Sequence, residues 1–337
     1  MAENTDSLWF MNYRKVDKVP GLPVPVGYTG NSDYCYANSL HMALLATGSV
    51  QPQDIPSPGF IECLTTVPFG KLFLELPTGP IAYFSSVIAD PNNGLTHAIK
   101  TLGWSCQYRA GGDPEAALAA LRSAVRYQPV LVGPLDMGFL TYNPHHQFLR
   151  GADHYVLVIS INDEEGRVLL HDPKMFPYAT VPIPDFMMAW KAEGIHYSPE
   201  PYVFRSHFKM AERPARNTMI ARTVDMVRTQ LAEKYRGPSM FSGAEALRRT
   251  AANLDKPTIR NELAPFAFPL AARRAIDAAA FLDRGGLQGA ALSLAKQAQL
   301  YGKAVYPAVH GQWDEVQRII LELAELEGDF EAEILKK

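Results

Sequence analysis

The sequence predicts an α+β fold: an antiparallel sheet with short helices, followed by an all-helical domain. Two observations carry that expectation. Residues 1 to about 210 mix β-rich runs, short helical stretches and most of the prolines, whereas residues from about 212 onward keep helical spacing almost throughout. The clearest β signal is a hairpin. His154 to Ile161 (HYVLVISI) and Arg167 to His171 (RVLLH) flank a polar, glycine-ended turn, Asn162 to Gly166. The domains expected are therefore 1–210 and 211–337.

Each element has a local reason. The polar turn Asn31 to Tyr34 precedes a helix over Cys35 to Thr47, with Ala37, Leu40 and Leu44 on one face and Gly48 as its C-cap. A second helix opens at Asp113-Pro114, an N-cap followed by proline at the first helical position. Leu118, Leu121 and Val125 form its expected buried stripe. Pro129 to Gly133 (PVLVG) and Trp104 to Tyr108 read as strands, and Asp172-Pro173 ends the hairpin's second strand. Beyond 212, Met219, Ile220, Thr223, Val224, Val227 and Leu231 lie on one helix face. Ser242 to Glu245 reads as a capping box, and Trp313, Val316, Ile320, Leu323 and Leu326 form a last amphipathic face. About five helices are expected there.

Composition bounds the function. Of 337 residues, 47% are apolar and 20% charged, as in a globular protein with a large core, and the net charge of −3 with no basic segment lacks a nucleic-acid binder's footprint. No apolar run approaches the ~20 residues of a membrane helix, and the acidic start Met1 to Asp6 does not read as a secretion signal. Three cysteines, Cys35, Cys63 and Cys106, do not make a disulfide framework. The expectation is a cytoplasmic, bacterial protein with a free, reactive thiol.

Cys35 stands at a helix start, where the positive end of the helix favours a thiolate and unpaired N–H groups face outward. His154 opens the long strand, and Asp172 closes the returning one, at the same end of the hairpin. This is the arrangement of a nucleophile, its base and a carboxylate that fixes the imidazole's tautomer. A cysteine, then a histidine more than a hundred residues on, then a carboxylate on the next strand, is the papain order. Papain-like enzymes usually place a glutamine before the cysteine as an oxyanion donor. None lies there, and Asn31 and Tyr28 are the nearest candidates. Asp136 and Tyr142 are candidate substrate-binding residues. Cys106 reads as a core thiol. His145, His146, His154 and His171 lack the i, i+4 spacing and carboxylate motif of a zinc protease, so neither metal nor cofactor is expected.

The segments Asp33 to Leu40, Asp113 to Tyr127, Pro129 to Tyr142 and Ala152 to Pro173, with the helical remainder, resemble the butirosin biosynthesis protein H family from about residue 30 to about 325. The hairpin is also similar to that of bacteriocin-processing cysteine peptidases. Two departures stand out: Tyr34 replaces a histidine common before the cysteine, and the hairpin reads ISIND rather than a glycine-containing GYD. The resemblance implies a papain-like acyltransferase of antibiotic biosynthesis. It moves an aminoacyl group from the thioester of an acyl carrier protein onto the amine of a small molecule. Cys35 would take the acyl group, and His154 with Asp172 would activate it. The same three residues also suit a cysteine peptidase, amide hydrolase or thioesterase, and a non-catalytic binding protein with a core thiol is the third reading. For the transferase, a carrier-protein dock is expected among Arg213, Arg216, Arg222, Arg248, Arg249, Arg273 and Arg274.

Overall fold

The computed structural model describes residues 27–30, 34–85, 90–195, 197–233 and 239–336. In chain order they form α1 (Cys35–Ala46), α2 (Pro58–Leu64), β1 (Leu72–Leu76), β2 (Gly79–Tyr83), α3 (Pro91–Thr101), β3 (Trp104–Arg109) and α4 (Pro114–Val125). Strands β4 (Val130–Asp136), β5 (Asp153–Asn162), β6 (Arg167–Asp172) and β7 (Phe176–Pro182) follow, then α5 (Ile183–Lys191) and β8 (Phe204–Met210). The remainder is α6 (Arg216–Glu233), β9 (Met240–Ser242), α7 (Gly243–Ala252), α8 (Pro257–Glu262), a π-helical turn, α9 (Phe268–Arg284), α10 (Gln288–Val309) and α11 (Trp313–Leu335).

The fold is α+β, and the chain divides into two compact units. One joins the described residues up to Pro56 with Ser105–Met210, and the other joins Ser57–Trp104 with the described residues from Ala211 onward. This division differs from a single cut at 210 in one segment: residues 57–104 group with the helices that follow.

The first unit is built on a six-stranded sheet in the order β3-β8-β4-β5-β6-β7. The expected hairpin is there, with Leu157 opposite His171 and Asn162 opposite Arg167. Strand β4 runs three residues past the expected end at Gly133, and β8 pairs with its other edge. Helix α4 begins as the sequence requires, with the Asp113 carboxylate accepting from the Ala116 N–H at 2.9 Å. Its buried stripe is Ala117, Leu121 and Ala124, whereas Leu118 and Val125 are only half-buried. Ala117, Leu121 and Ala124 share one core with Val130, Val132, Val156 and Val158 of the sheet. Helix α1 ends at Ala46, with Thr47 as its C-cap and Gly48 at φ +62° just beyond. Its Ser39 hydroxyl donates to the Tyr155 carbonyl at 3.1 Å, which fixes α1 against β5.

In the second unit, β9 adds a third strand to the hairpin β1–β2, with Phe241 opposite Phe73. The region past 211 is thus not wholly helical. The capping box also fails: Ser242 makes no side-chain cap bond, being the last residue of β9, and Glu245 instead accepts from Arg249 at 3.0 Å. Phe73, Phe84, Phe268, Tyr301, Val316, Ile320 and Leu323 share one core, and Trp313 and Leu326 of the expected α11 face lie at its edge. Inside it, Lys71 Nζ stands 3.2 Å from Glu327 Oε2, which also accepts from Gln297 Nε2 at 2.9 Å. Of the arginines expected to form a dock, Arg222 pairs with Glu212, Arg248 with Glu325, Arg249 with Glu75 and Arg274 with Glu62, and Arg216 lies over the Phe60 ring. Among the described residues no helix is long and apolar enough to cross a membrane.

Candidate active site

Cys35 is the first residue of α1, and Tyr34 before it supplies no side-chain cap. The positive end of the helix dipole therefore lies at the residue that carries the thiol. His154 enters from the start of β5. Asp172 follows His171, the partner of Leu157, so the antiparallel register brings the end of β6 level with the start of β5.

The three side chains meet. His154 Nε2 lies 2.5 Å from Asp172 Oδ1, and the Cys35 thiol shares a side-chain hydrogen bond with the same imidazole. With Nε2 engaged by the carboxylate, Nδ1 is the ring nitrogen left for sulfur. The site is closely packed: Cys35 is 9% exposed, His154 3% and Asp172 wholly buried. Burial acts to lower the His154 pKa, but the charge and hydrogen bond of Asp172, with further contributions from Cys35, push it up to about 10. Burial likewise acts to raise the Asp172 pKa, yet His154, the Lys174 amide and the Tyr142 hydroxyl hold it below the usual carboxylate value.

Asp172 is gripped on every side. Oδ1 also accepts from the Lys174 N–H at 2.6 Å, an Asx turn that the run Asp172-Pro173-Lys174 could have announced. Oδ2 accepts from the Tyr142 hydroxyl at 2.8 Å. Tyr142, expected as a substrate contact, is here a donor to the carboxylate, its ring packed edge-on against Phe176. Burial above all, then the Asp172 charge, raises its pKa well above that of free tyrosine, so it stays a donor. Tyr28 is also placed differently from the expectation. Its hydroxyl donates to the Asp172 carbonyl at 2.9 Å and accepts from the Met175 N–H, which directs it to the turn after Asp172 and away from an oxyanion role. Gly30 lets this segment pass close: a Cβ there would stand 2.7 Å from the Pro173 carbonyl oxygen. Asn31, the other oxyanion candidate, lies outside the described residues.

Asp136 is buried, and its Oδ1 accepts from the N–H groups of Gly138 at 2.8 Å and Gly151 at 3.0 Å. Expected as a substrate-binding carboxylate, it ties the two ends of the β4–β5 loop together. The remaining thiols differ from Cys35. Cys63 is fully buried, with burial pushing its pKa well up, and Cys106 is half-buried rather than a core residue, with burial raising its pKa against the charge of Arg205. The histidines are not gathered: His146 Nδ1 faces the Gly138 carbonyl, and His171 Nδ1 accepts from the Tyr178 N–H. Among the described residues no three His, Cys, Asp or Glu side chains are placed to hold a metal ion.

Comparison with known proteins adds lineage to this geometry. The YobF C-terminal domain matches residues 236–335, which is the greater part of the helical region. The Bacillus subtilis (strain 168) "Uncharacterized protein YobF" is 32% identical over 318 residues, covering 92% of this chain and 98% of its own length. By that match this chain belongs to the YobF family.

Proposed function

We propose that this protein transfers acyl groups through an acyl-cysteine intermediate. The observation that supports the reading is the hydrogen-bonded series of Cys35, His154 and Asp172 within one compact unit. Cys35 Sγ, its proton passed to His154, attacks the carbonyl carbon of a thioester. The first-turn amides of α1 face the oxygen that becomes negative. The donor's thiol leaves with the proton from His154, and the acyl group stays on sulfur. An amine then attacks this new thioester and gives a proton to His154. Cys35 departs as thiolate and recovers that proton. Asp172 keeps the imidazolium oriented and compensated throughout.

The chemistry calls for no cofactor. The acceptor class is a small-molecule amine, and an acyl carrier protein is one carrier able to present the thioester. A free thiol requires a reducing compartment, which makes the cytoplasm the setting proposed. Water in place of the amine would make the same site a thioesterase or amide hydrolase.

The test is intact-protein mass spectrometry after incubation with short acyl thioesters of N-acetylcysteamine. The wild type should gain the acyl mass and Cys35→Ala should not. An added amine should discharge the adduct as an amide. Free acid released at a rate that no amine changes, together with peptide cleavage, would replace transferase with hydrolase. No adduct with any thioester, and no difference between wild type and Cys35→Ala, would remove the enzymatic reading altogether.

A further inference from the structure

We infer that Tyr142 and Tyr28 are positioning residues that hold Asp172 in line with His154, one by its side chain and the other by its backbone. The inference deepens the proposed function, and its geometry stands independently of any substrate. A carboxylate can rotate about its last bond, and only one orientation points Oδ1 at the imidazole. Tyr142, from the β4–β5 loop, takes Oδ2 at 2.8 Å and fixes that rotation. Tyr28, from the segment before α1, ties the Asp172 carbonyl and the Met175 N–H together and so fixes the turn that carries the carboxylate. Met175 in that turn is at φ +73° with its side chain exposed, a backbone conformation that such a residue adopts only when neighbours hold it. The segment bearing Tyr28 lies just upstream of Cys35, so the chain that delivers the nucleophile is also fastened to the turn that delivers the acid. Among the described residues, the titratable groups reaching His154 and Asp172 are Cys35 from α1, Tyr142 and Tyr28, with the Lys174 backbone amide as the further donor.

Removing the Tyr142 hydroxyl leaves Asp172 Oδ2 without this donor and frees the carboxylate to turn. The imidazolium then loses its aligned partner, and a thiolate beside it forms only at higher pH. The experiment is the pH dependence of Cys35 alkylation by iodoacetamide in wild type, Tyr142→Phe, Tyr28→Phe and the control Tyr127→Phe. Tyr127 is an exposed tyrosine packed on His207. The acid limb should move up by about one pH unit in Tyr142→Phe, the size expected for one lost hydrogen bond to a charged group, and in the same direction but less in Tyr28→Phe. Tyr127→Phe should match the wild type. The second readout is the NMR titration of ¹³Cε1-labelled His154, assigned with His154→Gln, which should show its pKa lowered in both tyrosine variants. Unmoved or lowered limbs together with an unmoved or raised histidine pKa in folded Tyr142→Phe and Tyr28→Phe would overturn the positioning role. A His154 titration that shifts as stated in a protein that accepts no acyl group would uphold the positioning role and sink the transferase reading.

Discussion

His154 Nε2 stands 2.5 Å from the Oδ1 of a fully buried Asp172, so neither group can be solvated and each keeps the other charged. The pair makes a signed prediction for stability. The folded-state pKa of His154 is raised from 6.5 to about 10, so its stabilising contribution is complete below pH 6.5 and is lost as pH rises toward 10. Asp172 is held below its ordinary 3.8, so its contribution is present above that value and is lost as pH falls through the lowered one. Urea unfolding across pH 3 to 10 should therefore show a plateau for wild type that Asp172→Asn lacks at both ends. At neutral pH, Asp172→Ala should cost roughly 3 kcal/mol, as for a broken buried pair. Parallel stability curves for wild type and Asp172→Asn would show that the pair is not charged.

Thiol selectivity separates exposure from activation. Cys106 is more exposed than Cys35, and Cys63 is inaccessible. If access ruled, iodoacetamide would label Cys106 first. An imidazole stands beside Cys35 to take its proton, and burial disfavours the thiolates of the other two. Peptide mass spectrometry of a timed reaction at pH 7 should find Cys35 modified first and Cys63 last. Cys106 reacting ahead of Cys35 would argue that Cys35 is an ordinary buried thiol.

The parts of the site legible in the sequence were those set by local rules. Two β-rich runs around a polar, glycine-ended turn placed His154 and Asp172 at the same end of a hairpin, and a turn followed by helical spacing placed Cys35 at a helix start. The tyrosines were visible only as nearby hydroxyls. What they bind depends on loop conformations that bring Tyr142 to Asp172 across 30 residues and Tyr28 across 144. The capping box failed for a related reason. Ser242 has the right neighbours in sequence but is claimed by strand pairing with Leu72, a residue of a segment that local patterning could not assign to the helical unit.

Two aspartates near the site should behave oppositely. Asp172→Ala should lower acyl turnover by roughly two to four powers of ten, because the imidazole loses its orientation and compensation. Asp136→Ala removes the acceptor of two loop amides, and should lower stability by about 2 kcal/mol while changing the pH profile of Cys35 alkylation little. A thermal or urea melt paired with alkylation kinetics reads both quantities from the same samples. If Asp136→Ala lowers reactivity without lowering stability, Asp136 belongs to the chemistry after all.

The last prediction concerns the helical unit. Lys71 and Glu327 are 4% and 0% exposed, within a core of aromatic and aliphatic side chains. Two charges in such a place stabilise little relative to water, because desolvation opposes their attraction, but each depends on the other. Lys71→Met leaves Glu327 with only the Gln297 amide on the oxygen that faced the ammonium. It should therefore cost about 3–5 kcal/mol in urea unfolding. Adding Glu327→Leu to Lys71→Met removes the stranded charge and should recover most of that loss, at the expense of the Gln297 hydrogen bond. A double variant as unstable as the single one would mean that the cost lies in packing around Lys71 rather than in the uncompensated carboxylate.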